Sequence, residues 1–175
     1  MNSLLSIGMF LGSLCFLHQD PSPESEQSKA RLRAAMVATG LAFEESKSGL
    51  SLTATFDHDG TRKQVVYIGL DPSRSSGLVL HNVYTTVWVS KDGPPDLATM
   101  QRVFALPKKL GAFYLFTDKQ GVWSIRFGVQ FDATDLPESI QSEHPRSKEL
   151  DSLVRFVDLV GEETDASLNG DKDVR

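Results

Sequence analysis

Cysteine is nearly absent from this chain: Cys15 is the only one in 175 residues. One thiol cannot close an internal disulfide, build a zinc knuckle or supply a redox pair. Histidine is scarce too, and no two of His18, His58, His81 and His144 stand at i, i+4 on a helical pattern. The helix-borne metal pair is therefore missing. No Gly-x-Ser-x-Gly elbow occurs, since Gly49-Leu50-Ser51-Leu52-Thr53 lacks the second glycine and lies on a strand pattern. No Ser is followed three residues later by Lys, and no glycine-rich stretch ends in Lys-Ser or Lys-Thr, so no phosphate-cradling loop is found. Positive charge is not in excess. The net charge is −5, which repels phosphate backbones, and the clusters Lys29/Arg31/Arg33, Arg62/Lys63 and Lys108/Lys109 are short and interrupted. Nucleic acid is not an expected partner.

What remains is ordinary globular material. Hydrophobic residues make up 40% and charged residues 23%, too apolar for a disordered chain. A body of about 130 residues buries roughly two-thirds of the surface its unfolded chain exposes, enough to fold without metal or disulfide.

The ends differ from the body. Leu4 to Leu17 is an uncharged apolar run, too short to span a membrane, which needs about 20 residues. It matches the apolar region of a secretory signal, with Ser13-Leu14-Cys15 as a small-x-small cleavage site. Residues 1–17 are read as a leader that contacts membrane during export. Residues 18–28 are read as a polar linker, 29–162 as the folded domain and 163–175 as a disordered acidic tail. Export to the periplasm or exterior follows if the leader is cleaved; otherwise the chain stays in the cytoplasm.

Periodicity then builds the body. Ala30, Leu32, Ala35, Met36 and Thr39 make an apolar stripe for a first helix over 25–39, ended by Gly40. Strands follow at 41–45, 50–57, 64–70 and 78–90, with a loop over 71–77 and a hairpin turn at Asp59-Gly60. Pro94-Pro95 ends the strand run, Asp96 caps a helix carrying Leu97, Met100, Val103, Phe104 and Leu106, and Pro107 stops it. Two more strands, 111–117 and 122–132, precede a last helix striped by Leu150, Leu153, Val154, Val157 and Val160. Trp123, Ile125, Phe127, Val129 and Phe131 alternate with polar residues and mark one dry face. The expected class is α+β: a mostly antiparallel sheet of five to six strands with three helices, ordered α-ββββ-α-ββ-α.

Chemistry-bearing clusters each have a simpler reading. Asp57-His58-Asp59 holds metal-ligand types but sits at a hairpin tip, where Asp serves the turn. Asp132, Asp135 and Glu138, like Glu44 and Glu45, read as solvated loop acids. Arg126-Phe127-Gly128-Val129-Gln130-Phe131 echoes the aromatic strand of RNA-recognition domains, but its rings share the face that reads as core. No catalytic residue, cofactor or metal site is assigned. Tyr84, Trp88 and Tyr114 are core or cross-strand aromatics unless an outer face leaves them as an apolar partner-binding patch.

The helix end Val37-Ala38-Thr39-Gly40-Leu41, the hairpin LSLTATFDHDGTRKQVVYIGL, the helix Leu97 to Leu106, the pair GAFYLFTDKQGVWSIRFGVQFD and the helix SKELDSLVRFVDLV together resemble the YbjN-like family and the related type III secretion chaperone fold. The resemblance covers about Ser25 to Glu163. It implies a non-enzymatic domain that pairs with itself and holds a protein or peptide partner, needing no cofactor. Two other readings stand beside it: a small-ligand-binding or sensory regulatory domain, and a small hydrolase whose acids or His81 converge only in three dimensions. The leader carries its own test. Intact-mass measurement of the exported chain should show an N-terminus at Phe16, and an N-terminus at Met1 in an exported fraction would remove the signal-peptide reading.

Overall fold

The computed structural model describes residues 23–58, 60, 62–106 and 110–169. The expected leader, the first part of the linker and the last residues of the tail lie outside the described residues. The described chain runs α1 (Pro23–Thr39), β1 (Glu44–Glu45), β2 (Ser51–His58), β3 (Arg62–Gly69), β4 (Ser73–Ser75), β5 (Leu78–Ser90), α2 (Leu97–Phe104), β6 (Ala112–Thr117), β7 (Trp123–Asp132) and α3 (Pro145–Asn169). The class is α+β, as its strand runs predict. The sheet has seven strands rather than five to six, in the order β1-β2-β3-β5-β7-β6 with β4 beside β5. All pairings are antiparallel. The extra strand is β4. It falls where a loop is expected, because Asp71-Pro72 and Gly77 punctuate it, yet Ser73 to Ser75 pair with Leu80 to Leu78.

One face of the sheet carries Leu52, Ala54, Val66, Ile68, Val83, Phe127, Val129 and Phe131, all buried. Paired positions such as Leu52 with Ile68, Ile68 with Val83 and Val83 with Val129 continue this face across four strands. Helices α1 and α3 cover it with Leu32, Ala35, Met36, Leu150, Val154, Val157 and Val160. Two details of the stripes differ from periodicity alone. Ala30 is exposed, and Ser28 takes the buried place one turn before Leu32. In α2 only Val103 is buried, while Leu97 and Phe104 stay exposed.

The helical part of the chain also extends past both expected limits. Helix α1 begins at Pro23, where the missing N–H of proline costs nothing. Helix α3 continues to Asn169, so residues 163–169 are not part of a disordered tail. Thr164 and Asp165 are buried there. Gly161, a natural stop on propensity, is instead a contact point. A Cβ at Gly161 would lie 2.5 Å from Gln64 Nε2 and 2.7 Å from Thr85 Cγ2. The absent side chain lets the helix press onto β3 and β5. Below it the Gln64 amide donates to the Thr85 hydroxyl, which donates 2.8 Å to the Val65 carbonyl. At the other end of this packing, Arg102 on α2 donates to the Ser167 carbonyl of α3.

Gly161→Ala should therefore push α3 off the sheet and lower unfolding free energy by about 1–3 kcal/mol, as overpacking does. The measurement is a urea titration. A wild-type midpoint would show that α3 does not press on Gln64 and Thr85.

Candidate binding surface around strand β6

The face of the sheet opposite the helices is set by the same alternation. Register brings Tyr67, Tyr84, Gly128 and Ala112 into one row across β3, β5, β7 and β6, with Thr86, Arg126 and Tyr114 in the next. Tyr67 and Tyr84 stack at 5.1 Å between ring centroids, 16° from parallel. Gly128 lets two tyrosine side chains approach the strand closely: a Cβ there would stand only 3.2 Å from both Tyr114 Cε1 and Tyr84 Cβ. Beside it Gly111, at φ +80°, has no room for a side chain, since a Cβ would fall 2.6 Å from the Gly128 carbonyl oxygen.

A concavity of about 750 Å³ opens over these small residues, walled by Tyr84, Tyr114 and Phe116 and edged by Asn82 and Gln130. Arg126 rises from its floor. Its guanidinium carbon is 3.6 Å from the Phe116 ring centroid and 5.0 Å from that of Tyr84. The cation is thus held between aromatic faces rather than by an acid. Burial pushes the Tyr84 and Tyr114 phenols up, and the Arg126 charge works against that shift.

Strand β6 closes the sheet on this side and has no outer neighbour among the described residues. Its sequence, AFYLFT, contains neither charge nor proline. Tyr114 and Phe116 are exposed on the open face, Leu115 at 40% on the other. Leu110 before the strand and Phe104 on α2 extend the exposed apolar area, and Phe104 packs edge-on to Phe113 at 6.3 Å. Charge, proline or shortness ordinarily protects such an edge.

Of the aromatics singled out in the sequence, Tyr84 and Tyr114 therefore meet across Gly128. Trp88 does not join them. A register shift between Thr86 and Trp88 inserts an extra residue, so Trp88 pairs with Ile125 and packs near Val87, Val103 and Leu168 on the helix side. Phe116 belongs to the site without having been singled out, and Arg126 and Gly128 were noted only within the echo of an RNA-recognition strand. Alternation is the sequence signal that puts Arg126 and Gly128 on the face opposite Phe127.

The remaining clusters go elsewhere. His58 Nε2 meets Asp158 of α3 at 2.9 Å, and Asp57 accepts from the Gly60 amide at 2.9 Å. Asp59 lies outside the described residues. Among those described, no three His, Cys, Asp or Glu side chains are placed to hold a metal. Glu45 binds Arg33 at 2.7 Å, Glu138 accepts from Gln27 at 2.8 Å, and Asp132 caps the turn to Thr134. No helix among the described residues is long and apolar enough to cross a membrane.

His81 is fully buried and tied at both nitrogens. Nδ1 lies 2.9 Å from the Gly69 carbonyl, which can only accept, so Nδ1 carries the proton. Nε2 then accepts from the Ser28 hydroxyl at 2.9 Å. A serine–imidazole pair is formed, but the imidazole finds a backbone carbonyl where a catalytic triad places a carboxylate. Ser28 also sits inside α1, where helix bonds occupy the neighbouring N–H groups that an oxyanion would need. The pair anchors α1 to β5.

Burial holds the folded imidazole below its ordinary range, with the Gly69 bond acting in the opposite sense. The unfolded chain takes up its proton near pH 6.5. The contribution of neutral His81 is therefore intact above about pH 6.5 and declines as pH falls below it. Urea midpoints should drop between pH 7.5 and pH 5.5, and His81→Asn should flatten that part of the profile. An unchanged slope in the variant would assign the acid sensitivity to other groups.

Searches with the chain against protein-family models, curated proteins and solved structures yield no match, so the surface around β6 has to be read from its own geometry.

Proposed function

We propose that this protein is a non-catalytic polypeptide-binding module that receives an extended apolar segment of another protein along the outer edge of β6. The observation that carries the reading is the edge itself: six residues without charge or proline, with exposed Tyr114, Leu115 and Phe116 and, among the described residues, no strand beyond. An added strand satisfies the free N–H and C=O groups of β6, while apolar side chains on either face supply preference for its sequence. The edge is apolar on both faces, because Leu115 and Phe104 lie on the helix side and Tyr114 and Phe116 on the other. An incoming strand with large residues at every position would therefore find contacts on both sides. The resemblance to secretion-chaperone-like domains points the same way, as does the backbone partner of His81, which removes the acid that a hydrolase reading requires there.

Fluorescence anisotropy against an array of apolar hexapeptides, run beside light scattering on the eluting protein, tests the reading. Peptides rich in Leu, Val and Phe should bind, and Leu115→Lys should weaken them at least ten-fold while moving the urea midpoint by no more than about 0.5 kcal/mol equivalent. A dimer broken by the same substitution would identify the added strand as a second copy of this chain. Failure of every peptide to bind a strictly monomeric protein would remove the proposal.

A further inference from the structure

The concavity beside the β6 edge has a chemistry that the edge alone does not explain. Among the described residues lining it, Arg126 is the one that carries a charge, and no carboxylate is present. Its Nε is buried without a hydrogen-bond partner. An arginine stacked between Phe116 and Tyr84 and bonded to the Tyr114 side chain still has donors beyond that bond. Such a guanidinium presents a rigid fork that matches a carboxylate in two parallel bonds. The bond gains strength because the rings exclude water from both faces of the cation.

The rest of the concavity suits a flat or bulky apolar group. Gly128 and Ala112 keep the floor low, and Tyr84 and Tyr114 stand on either side of it. At about 750 Å³ there is room for a large terminal side chain together with the carboxylate beside it.

We infer that this concavity captures the free C-terminal carboxylate of a polypeptide whose last residue is aromatic or large and apolar. The occupant is chosen by charge complementarity: among the described lining residues there is one cation with no acidic partner, no anion, and an apolar seat adjacent to it. Arg126 holds the carboxylate, the tyrosines flank the terminal side chain, and Asn82 and Gln130 stand where the preceding peptide group leaves the concavity. This rests on the polypeptide-binding reading above, and adds that the bound segment is read from its C-terminal end.

The probes are N-acetyl-L-phenylalanine as the free acid and as its amide, titrated into the whole chain and followed by NMR. The acid should shift the amide signals of Gly111 and Gly128 and the Nε–H signal of Arg126, and should bind at least ten-fold more tightly than the amide. Arg126→Gln and Arg126→Lys should both abolish that preference, the second because it keeps the charge but loses the fork. Gly128→Ala, which puts a methyl group between the tyrosines, should weaken the acid while leaving Arg126 in place. Equal binding of acid and amide, or a preference that survives in both Arg126 variants, would overturn the inference. A parallel arm with internal apolar hexapeptides, amidated at the C-terminus, separates the two ideas. If these bind wild type and Arg126→Gln alike while acid and amide do not differ, strand addition stands and carboxylate capture falls.

Discussion

The long antiparallel ladder between β5 and β7, with α3 pressed across it, is the contact on which the other elements depend. Leu80 to Ser90 pair with Asp132 to Trp123 over almost the full length of both strands. That pairing aligns Val83, Val129, Phe127 and Phe131 on one side, and α3 covers them with Val154, Val157 and Val160. Everything else attaches to this pair: β3 and β2 extend it one way, β6 the other, and α1 lies against α3. Because side chains alternate, each residue spent on the dry side leaves its neighbour on the open side. The same ladder that aligns Phe127 under α3 thus presents Arg126 and Gly128 on the opposite face.

The two faces are finished differently. Under the helices, close packing is reached by removing a side chain, at Gly161, and by tying the polar groups that remain. Gln64, Thr85, His81 and Ser28 are all buried, and each is hydrogen-bonded. On the open face Gly128 lets Tyr114 and Tyr84 close in over the strand, and Gly111 lets the chain before β6 lie against the Gly128 carbonyl, Phe127 and Val129. A sheet that leaves one face uncovered usually makes it polar. Here the part near β6 is aromatic, and the strand beyond it is an unprotected edge. Two departures from ordinary sheet behaviour thus coincide at one place, which is why the functional reading settles there.

Much of the architecture was legible in the residues. The alternation of Trp123 to Phe131 and the stripe from Leu150 to Val160 each state a local preference that burial also favours, and the cap at Asp96 is met by a bond from the Thr99 amide. The departures arise where local preference and tertiary contact disagree. Ser73 to Ser75 have little strand propensity, but β5 offers free backbone groups beside them. Gly161 reads as a helix end on propensity, but helix–sheet contact makes it the best residue for an interior position. Trp88 obeys alternation up to the bulge at Thr86 and is then turned to the helix side.

By itself the sequence determined which faces are dry, where the three helices of the described residues lie, and that no cysteine framework or standard catalytic motif is present, because these follow from residue type and periods of 2 and 3.6. Only the tertiary structure decided that Tyr84 and Tyr114 meet across Gly128, that Arg126 is held by rings rather than by an acid, and that β6 is the open edge. Those facts depend on strand order and register, which place residues from separate strands within a few ångströms of one another. No local pattern encodes that juxtaposition.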